Sequence, residues 1–151
     1  MDLLMDHLIS WMIAVPFFGI VILAFVRDEE SIRRIAFGIT MLEFFLSLVL
    51  WKNFDPTQQG MQFMERMQWM PTFNIQYAVG VDGISILLVI LTALLCPLCV
   101  LCSWTGITTR VRAFLSLILL VEGAMIVVFT ALDLFLFFML WELTMIPMYF
   151  M

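Results

Sequence analysis

Long apolar stretches alternate with short polar segments along the whole chain. Their lengths predict membrane-spanning helices, because about 20 apolar residues in a helix cross the hydrocarbon core of a bilayer. The predicted spans are residues 8–26, 35–51, 84–103, 113–131 and 133–151. Of the 151 residues, 64% are hydrophobic and 13% are charged, and a soluble domain of this size could not bury so much apolar surface. The pattern therefore predicts an all-α membrane protein, with residues 1–151 forming a single transmembrane region.

Residues 52–83 form the one long polar connection. Met61, Met64 and Met67 follow one another at three-residue spacing beside polar side chains, which favours a short amphipathic helix at the membrane interface. In residues 73–81, apolar and polar residues alternate, and this period of two predicts a β-strand or half of a hairpin. We therefore expect both elements outside the hydrocarbon core.

The basic residues predict how the chain is oriented in the membrane. Residues 27–34 contain three arginines and residues 104–112 contain two, whereas the long connection at 52–83 contains only Lys52 and Arg66. Short cytoplasmic loops are enriched in Lys and Arg. We therefore expect the first two segments in the cytoplasm, and the long connection and the N-terminus on the other side.

Few of the remaining polar residues suggest a binding site. The basic residues form no patch with interleaved aromatic residues, so the lipid bilayer is an expected partner and nucleic acid is not. Cys96, Cys99 and Cys102 share one predicted span, where a helix turns them to different sides, so we interpret them as packing residues. Asp82 or Ser85, and likewise Asp133, fit the capping positions at helix starts.

Three glutamates carry the candidate chemistry. Glu43, Glu122 and Glu142 each lie near the centre of a different predicted span. Intramembrane acids are costly and mark ion or proton paths, and loss of water favours the neutral acid, so such a group can hold a proton near neutral pH. Glu142 is the foremost candidate and Glu122 the second. For Glu43, a hydrogen bond between helices is the simpler interpretation.

Pro147 strengthens the case for Glu142. Proline removes the hydrogen bond to the carbonyl group of Leu143, and this carbonyl, with Thr144 close by, is expected to hold water near the acid. The alternative is that Pro147 only bends the helix for packing. The sequence has no cysteine framework for an iron–sulfur cluster, no GxGxxG motif and no phosphate-binding loop, so we expect this chain to bind no cofactor.

Two stretches resemble a known family. YAVGVDGISILLVILTALLCPL (77–98) and FTALDLFLFFMLWELTMIPMYF (129–150) are similar to the antiporter-like membrane subunits of proton-translocating NADH–quinone oxidoreductase, respiratory complex I, and within them to the chain 4 (subunit M) type. The first stretch is shared with subunits of multisubunit cation/proton antiporters. The second is specific to the complex I group.

The resemblance implies a part of the antiporter-like fold and redox-driven proton pumping in a bacterial inner membrane. It implies other membrane subunits of complex I as partners, with NAD, FMN, iron–sulfur clusters and quinone bound elsewhere in the complex. Glu142 matches the family's glutamate in the fifth helix, which works with a lysine in a later, broken helix, and Glu122 matches a position where some members carry an acid. Because members are much longer, we expect this chain to be an N-terminal part that cannot pump alone.

Two other functions are compatible with the same residues. The first is a subunit of a multisubunit sodium/proton antiporter, which is a secondary transporter rather than part of a redox enzyme. The second is a purely structural membrane scaffold, for which Glu142 would carry no proton.

Overall fold

The computed structural model describes residues 7–58, 60–70, 72 and 75–150. Over these residues the elements in chain order are α1 (Leu8–Phe25), α2 (Glu29–Lys52), β1 (Gln62–Met70), β2 (Ile75–Val81), α3 (Ser85–Cys102), α4 (Val111–Thr130) and α5 (Leu134–Phe150). The first four helices are long and apolar enough to cross a membrane, and α5 is an apolar helix of 17 residues. The predicted fold class, a multi-pass helical membrane protein with a small β-hairpin, is confirmed.

Helix α2 begins at Glu29, well before the predicted start at residue 35. The Asp28 carboxylate accepts hydrogen bonds from the Ser31 backbone N–H at 2.8 Å and from its hydroxyl at 2.6 Å, which caps the helix. These bonds lower the pKa of Asp28 below its ordinary value. Acidic residues in the first turn suit the positive end of the helix dipole. The predicted loop at 27–34 is therefore mostly helix, because capping extends α2 beyond its apolar part.

The predicted amphipathic helix in the long connection is wrong. Residues Gln62–Met70 form a strand that pairs antiparallel with β2, placing Glu65 opposite Val79 and Met67 opposite Tyr77. A single strand leaves its backbone N–H and C=O groups unpaired, and pairing with β2 gives them hydrogen-bond partners. This gain outweighs the helical tendency that the methionine spacing indicates. The strand predicted at 73–81 is confirmed from Ile75 to Val81, and its first two positions lie outside the described residues.

The two ends of the helix bundle are held by different contacts. At one end, Arg33 donates a hydrogen bond to the carbonyl of Ile107 at 2.6 Å, and Arg112 donates to the carbonyl of Val26. At the other end, the hairpin joins the α4–α5 connection, where the Leu132 N–H donates to the Ala78 carbonyl at 2.8 Å. The arginine-rich connections therefore share one end and the hairpin lies at the opposite end. Which end faces the cytoplasm stays a prediction.

Helix α4 is the centre of the bundle. It contacts each of the other four described helices. Its packing against α1 is close: a Cβ atom at Gly123 would lie 3.1 Å from the Phe17 ring and 3.3 Å from the Pro16 Cβ atom. Glycine at this position therefore lets the two helices approach closely.

Candidate functional site

Glu43 and Glu122 are both buried inside the bundle. Each is 0% exposed, and none of their four carboxyl oxygens has a hydrogen-bond partner. On α2 the buried residues recur every three or four positions, which turns Glu43 inward with Thr40 and Ser47. Buried polar groups are normally hydrogen-bonded, and an unpaired one is costly. These two unpaired carboxyl groups are therefore the candidate functional site within the described residues.

These two glutamates divide the buried core. One cluster of buried apolar side chains lies toward the hairpin and includes Leu50 of α2 and Ala124 of α4. A second lies toward the arginine-rich end and includes Ala36 and Leu119 of the same two helices. Because Glu43 and Glu122 fall between these positions along α2 and α4, they form a polar layer between two apolar halves.

The Cys96 side chain of α3 borders this layer. It is buried and belongs to the apolar cluster toward the arginine-rich end, together with Leu119 of α4. Cys99 and Cys102, by contrast, are exposed on the outer surface of α3. Within the described residues, the predicted packing role is therefore confirmed for Cys96, whereas Cys99 and Cys102 pack against no other element of the bundle interior.

Glu142 lies on the opposite face of α5 from the bundle interior. The residues that α5 buries are Leu136, Leu140, Thr144 and Pro147. Glu142 is exposed and comes two positions after Leu140, which is about 200° around a helix. The structure therefore brings Glu43, rather than Glu142, into the interior with Glu122.

Thr144 does not lie beside Glu142 as the sequence suggested. Its side chain is buried, and its hydroxyl donates a hydrogen bond to the Trp141 carbonyl at 2.7 Å. The reason is helical periodicity, since Thr144 follows Leu140 by four positions and so shares its inward face. Among the described residues, the hydroxyl that the sequence placed near the acid is on the other side of the helix.

All three glutamates lie at a similar depth, as predicted. Counted from the hairpin end, Glu43 precedes Lys52 by nine residues, Glu122 precedes Thr130 by eight, and Glu142 follows Leu134 by eight. At about 1.5 Å per residue these separations are about 12 to 14 Å, well inside a hydrocarbon core about 30 Å thick.

The predicted helix caps are confirmed. Asp133 accepts hydrogen bonds from the backbone N–H groups of Phe135 at 2.9 Å and Leu136 at 3.1 Å. Asp82 accepts from the Ser85 N–H at 2.7 Å, and its own N–H donates to the Ser85 hydroxyl at 2.7 Å. The bonds from Ser85 lower the pKa of Asp82. Asp82 and Asp133 therefore fix the starts of α3 and α5.

Sequence reasoning missed Glu65, which fixes the hairpin to α1. Its carboxylate is 8% exposed and accepts hydrogen bonds from the Ser10 N–H at 3.1 Å, from the Ser10 hydroxyl and from His7 Nδ1 at 3.2 Å. The Ser10 hydroxyl also lies 2.8 Å from the Tyr77 hydroxyl of β2. A carboxylate suits this place because the first N–H groups of a helix have no partner within it. The sequence analysis did not find this role, because the methionine spacing around Glu65 led to the prediction of a helix.

Comparison with known proteins identifies the family. The model of the amino terminus of NADH-ubiquinone oxidoreductase chain 4 matches residues 11–128. The chain belongs to this family. The match contains Glu43 and Glu122, whereas Glu142 lies beyond it. The resemblance to the chain 4 type, first seen in two stretches of sequence, is thereby confirmed.

Curated chain 4 proteins from distant sources are similar to this family member. It is 35% identical over 145 residues to NAD(P)H-quinone oxidoreductase chain 4 of Prochlorococcus marinus (strain MIT 9211), covering 93% of this chain and 26% of the relative. It is 38% identical over 143 residues to NADH-ubiquinone oxidoreductase chain 4 of Arabidopsis thaliana, covering 93% and 29%. For the protein of the same name from Chondrus crispus, the identity is 38% over 136 residues, covering 89% and 28%. The chain thus spans little more than a quarter of the length of these relatives.

Proposed function

We propose that this member of the family is a proton-translocating membrane subunit of NADH–quinone oxidoreductase. The observation that carries the proposal is the pair of wholly buried, unpaired carboxyl groups of Glu43 and Glu122 in the bundle of a chain from this family. Ionisable groups at this depth mark ion and proton paths in membrane proteins. A carboxyl group can accept and release a proton without any cofactor, so the layer suits proton transfer.

In this proposal Glu122 and Glu142 transfer protons at different places along the path. Glu122 takes and passes a proton inside the bundle. Glu142 does so at the outer face of α5, where a carboxyl group at membrane depth needs protein or water rather than lipid against it. The partner we propose for Glu142 is a cationic side chain, such as lysine, from a helix beyond those described here. Such a cation shields the Glu142 carboxyl group from lipid and favours its charged form.

The redox chemistry is proposed to take place on other subunits. The sequence carries no nucleotide-binding glycine motif and no cysteine framework for clusters, which supports placing NAD, FMN, iron–sulfur clusters and quinone elsewhere in the complex. The proposed partners are therefore the other membrane subunits of complex I together with the lipid bilayer. The proposed location is the bacterial inner (plasma) membrane. Residues 1–151 are proposed to be inactive on their own.

Co-purification separates this function from the sodium/proton antiporter alternative. The complete protein is tagged in its own host and purified from membranes in a mild detergent, with an unrelated tagged membrane protein as control. We expect flavin and iron–sulfur subunits to co-purify with it, together with NADH-dependent quinone reduction. A preparation without these subunits that exchanges sodium for protons in vesicles would contradict the proposal.

A further inference from the structure

A cavity of about 610 Å³ opens at the arginine-rich end of the bundle, between the α3–α4 connection, the first turns of α4 and the end of α5. Its polar wall consists of Thr108, Thr109 and Arg110, which are all exposed. Over the part of the chain that the structure describes, the arginine side chains that form hydrogen bonds or ion pairs do not include Arg110. The guanidinium group of Arg110 is therefore available to a ligand in the cavity.

The opposite side of the cavity is apolar. This apolar wall consists of Phe114 and Leu117 of α4 and Phe150 in the last turn of α5. Leu117 follows Arg110 by seven residues, so the cavity extends about 10 Å along α4. Because α4 is long and apolar enough to cross a membrane, the polar wall is expected at the level of the lipid headgroups and the apolar wall at the level of the acyl chains.

A buried positive charge lies behind the polar wall. Arg33 of α2 is 9% exposed, and it donates its hydrogen bond at 2.6 Å to the carbonyl of Ile107, which also lines the cavity. Among the described residues no carboxylate forms an ion pair with Arg33, and Glu30 pairs with Arg34 at 2.9 Å. Buried charges are normally paired with an opposite charge, because the loss of hydration is costly. An anion in the cavity would compensate this charge.

We propose that the cavity binds an anionic phospholipid of the surrounding bilayer. The headgroup phosphate lies against the polar wall beside Arg110, and an acyl chain lies along the apolar wall. Basic pockets between membrane helices bind anionic lipid headgroups through this complementarity of charge. A free anion would use only the polar wall, whereas a phospholipid fits both walls. The site goes beyond the proposed function and does not depend on proton transfer by the glutamates.

Photocrosslinking tests the site in the purified complex that contains the complete protein. The complex is reconstituted in liposomes with phosphatidylglycerol that carries a diazirine group on one acyl chain, and labelled peptides are located by mass spectrometry. A parallel sample carries the same group on phosphatidylcholine, which has no net charge. We expect the anionic lipid to label residues 113–117 about fivefold more strongly, as for one basic residue near an anionic headgroup. Equal labelling of this segment by the two lipids would overturn the proposal.

Three variants separate this cavity from general attraction to the arginine-rich end. Arg110→Gln should lower labelling by phosphatidylglycerol to the level of phosphatidylcholine. Arg27→Gln is the matched control, because Arg27 is exposed at the same end and does not line the cavity, and it should be labelled as the wild type is. Leu117→Trp keeps the charge but fills the apolar wall, so it should also lower labelling, and it decides the question if Arg110→Gln does not assemble. An equal loss in Arg27→Gln and Arg110→Gln would contradict a specific site.

Other occupants of the cavity would give different results. A later segment of the complete chain in this position would leave residues 113–117 unlabelled by both lipids while the outer surface of α3 is labelled. Binding of a free anion would be shown if excess inorganic phosphate abolished labelling by phosphatidylglycerol. Either result would overturn the lipid site. Failure of co-purification with redox subunits would instead contradict the proposed function and leave the labelling unchanged.

Discussion

Glu142→Gln in the complete protein is expected to lower NADH-driven proton translocation by about 100-fold, while the complex still assembles. Glutamine keeps the size and polarity of the side chain, but its amide group neither gains nor loses a proton near neutral pH. Because Glu142 lies on the exposed face of α5, the change leaves the packing of the described bundle intact. The measurement is the pH gradient formed by inverted membrane vesicles on addition of NADH, with assembly followed on a native gel.

Met145→Gln is the matched control for this variant. Met145 is also exposed on α5, close to Glu142 in sequence, so the control places the same amide at a similar membrane depth without removing an acid. It should pump as the wild type does. Normal pumping by Glu142→Gln with normal assembly would favour the scaffold alternative, in which the acid carries no proton.

Replacing Glu65 with alanine is expected to loosen the hairpin from α1. The change removes every hydrogen bond that the carboxylate accepts and leaves the Ser10 N–H without a partner near the start of the helix. Loss of a buried, charged acceptor of this kind costs about 2 to 3 kcal/mol in the free energy of local opening. Backbone amides of β1 should therefore exchange with deuterium roughly 30-fold to 150-fold faster, at about 1.4 kcal/mol for each factor of ten.

Arg66→Ala is the matched control in the hairpin. Arg66 is the next residue along β1, but it is exposed, and the hydrogen bond that it donates goes to the Met64 sulfur at 3.9 Å. Its replacement should leave amide exchange in β1 close to that of the wild type. Equal exchange rates for Glu65→Ala and the wild type would show that the hairpin does not depend on this carboxylate.

The helices were predictable from the sequence because each is a long apolar run, and its length alone decides the assignment. The start of α2 required a second signal. Asp28, Glu29 and Glu30 form a good capping sequence, but they fall outside the apolar run that located the helix. Strand β1 was not predicted, because its partner β2 lies beyond a turn and no local pattern of residues indicates that the two segments pair.

The depth of each glutamate in the membrane was predictable from the sequence, but the direction of its side chain was predictable only for Glu43 on α2. The position of each glutamate along its helix gives its depth, so the layer was visible in the sequence. The face of α2 could also be read, because Thr40, Glu43 and Ser47 follow the helical repeat. Helix α5 is apolar on all sides, so its sequence does not indicate which face is buried, and only the packing places Glu142 outside the bundle.

The most direct test of the central claim is proton translocation by the purified complex that contains the complete protein. The complex is reconstituted in liposomes with a quinone, and the internal pH and NADH oxidation are followed together. The account predicts that each NADH oxidised moves protons across the membrane, that a protonophore abolishes the pH change without stopping oxidation, and that Glu142→Gln lowers the protons moved per NADH. A pH change driven by a sodium gradient, with no NADH oxidation by the purified protein, would contradict it.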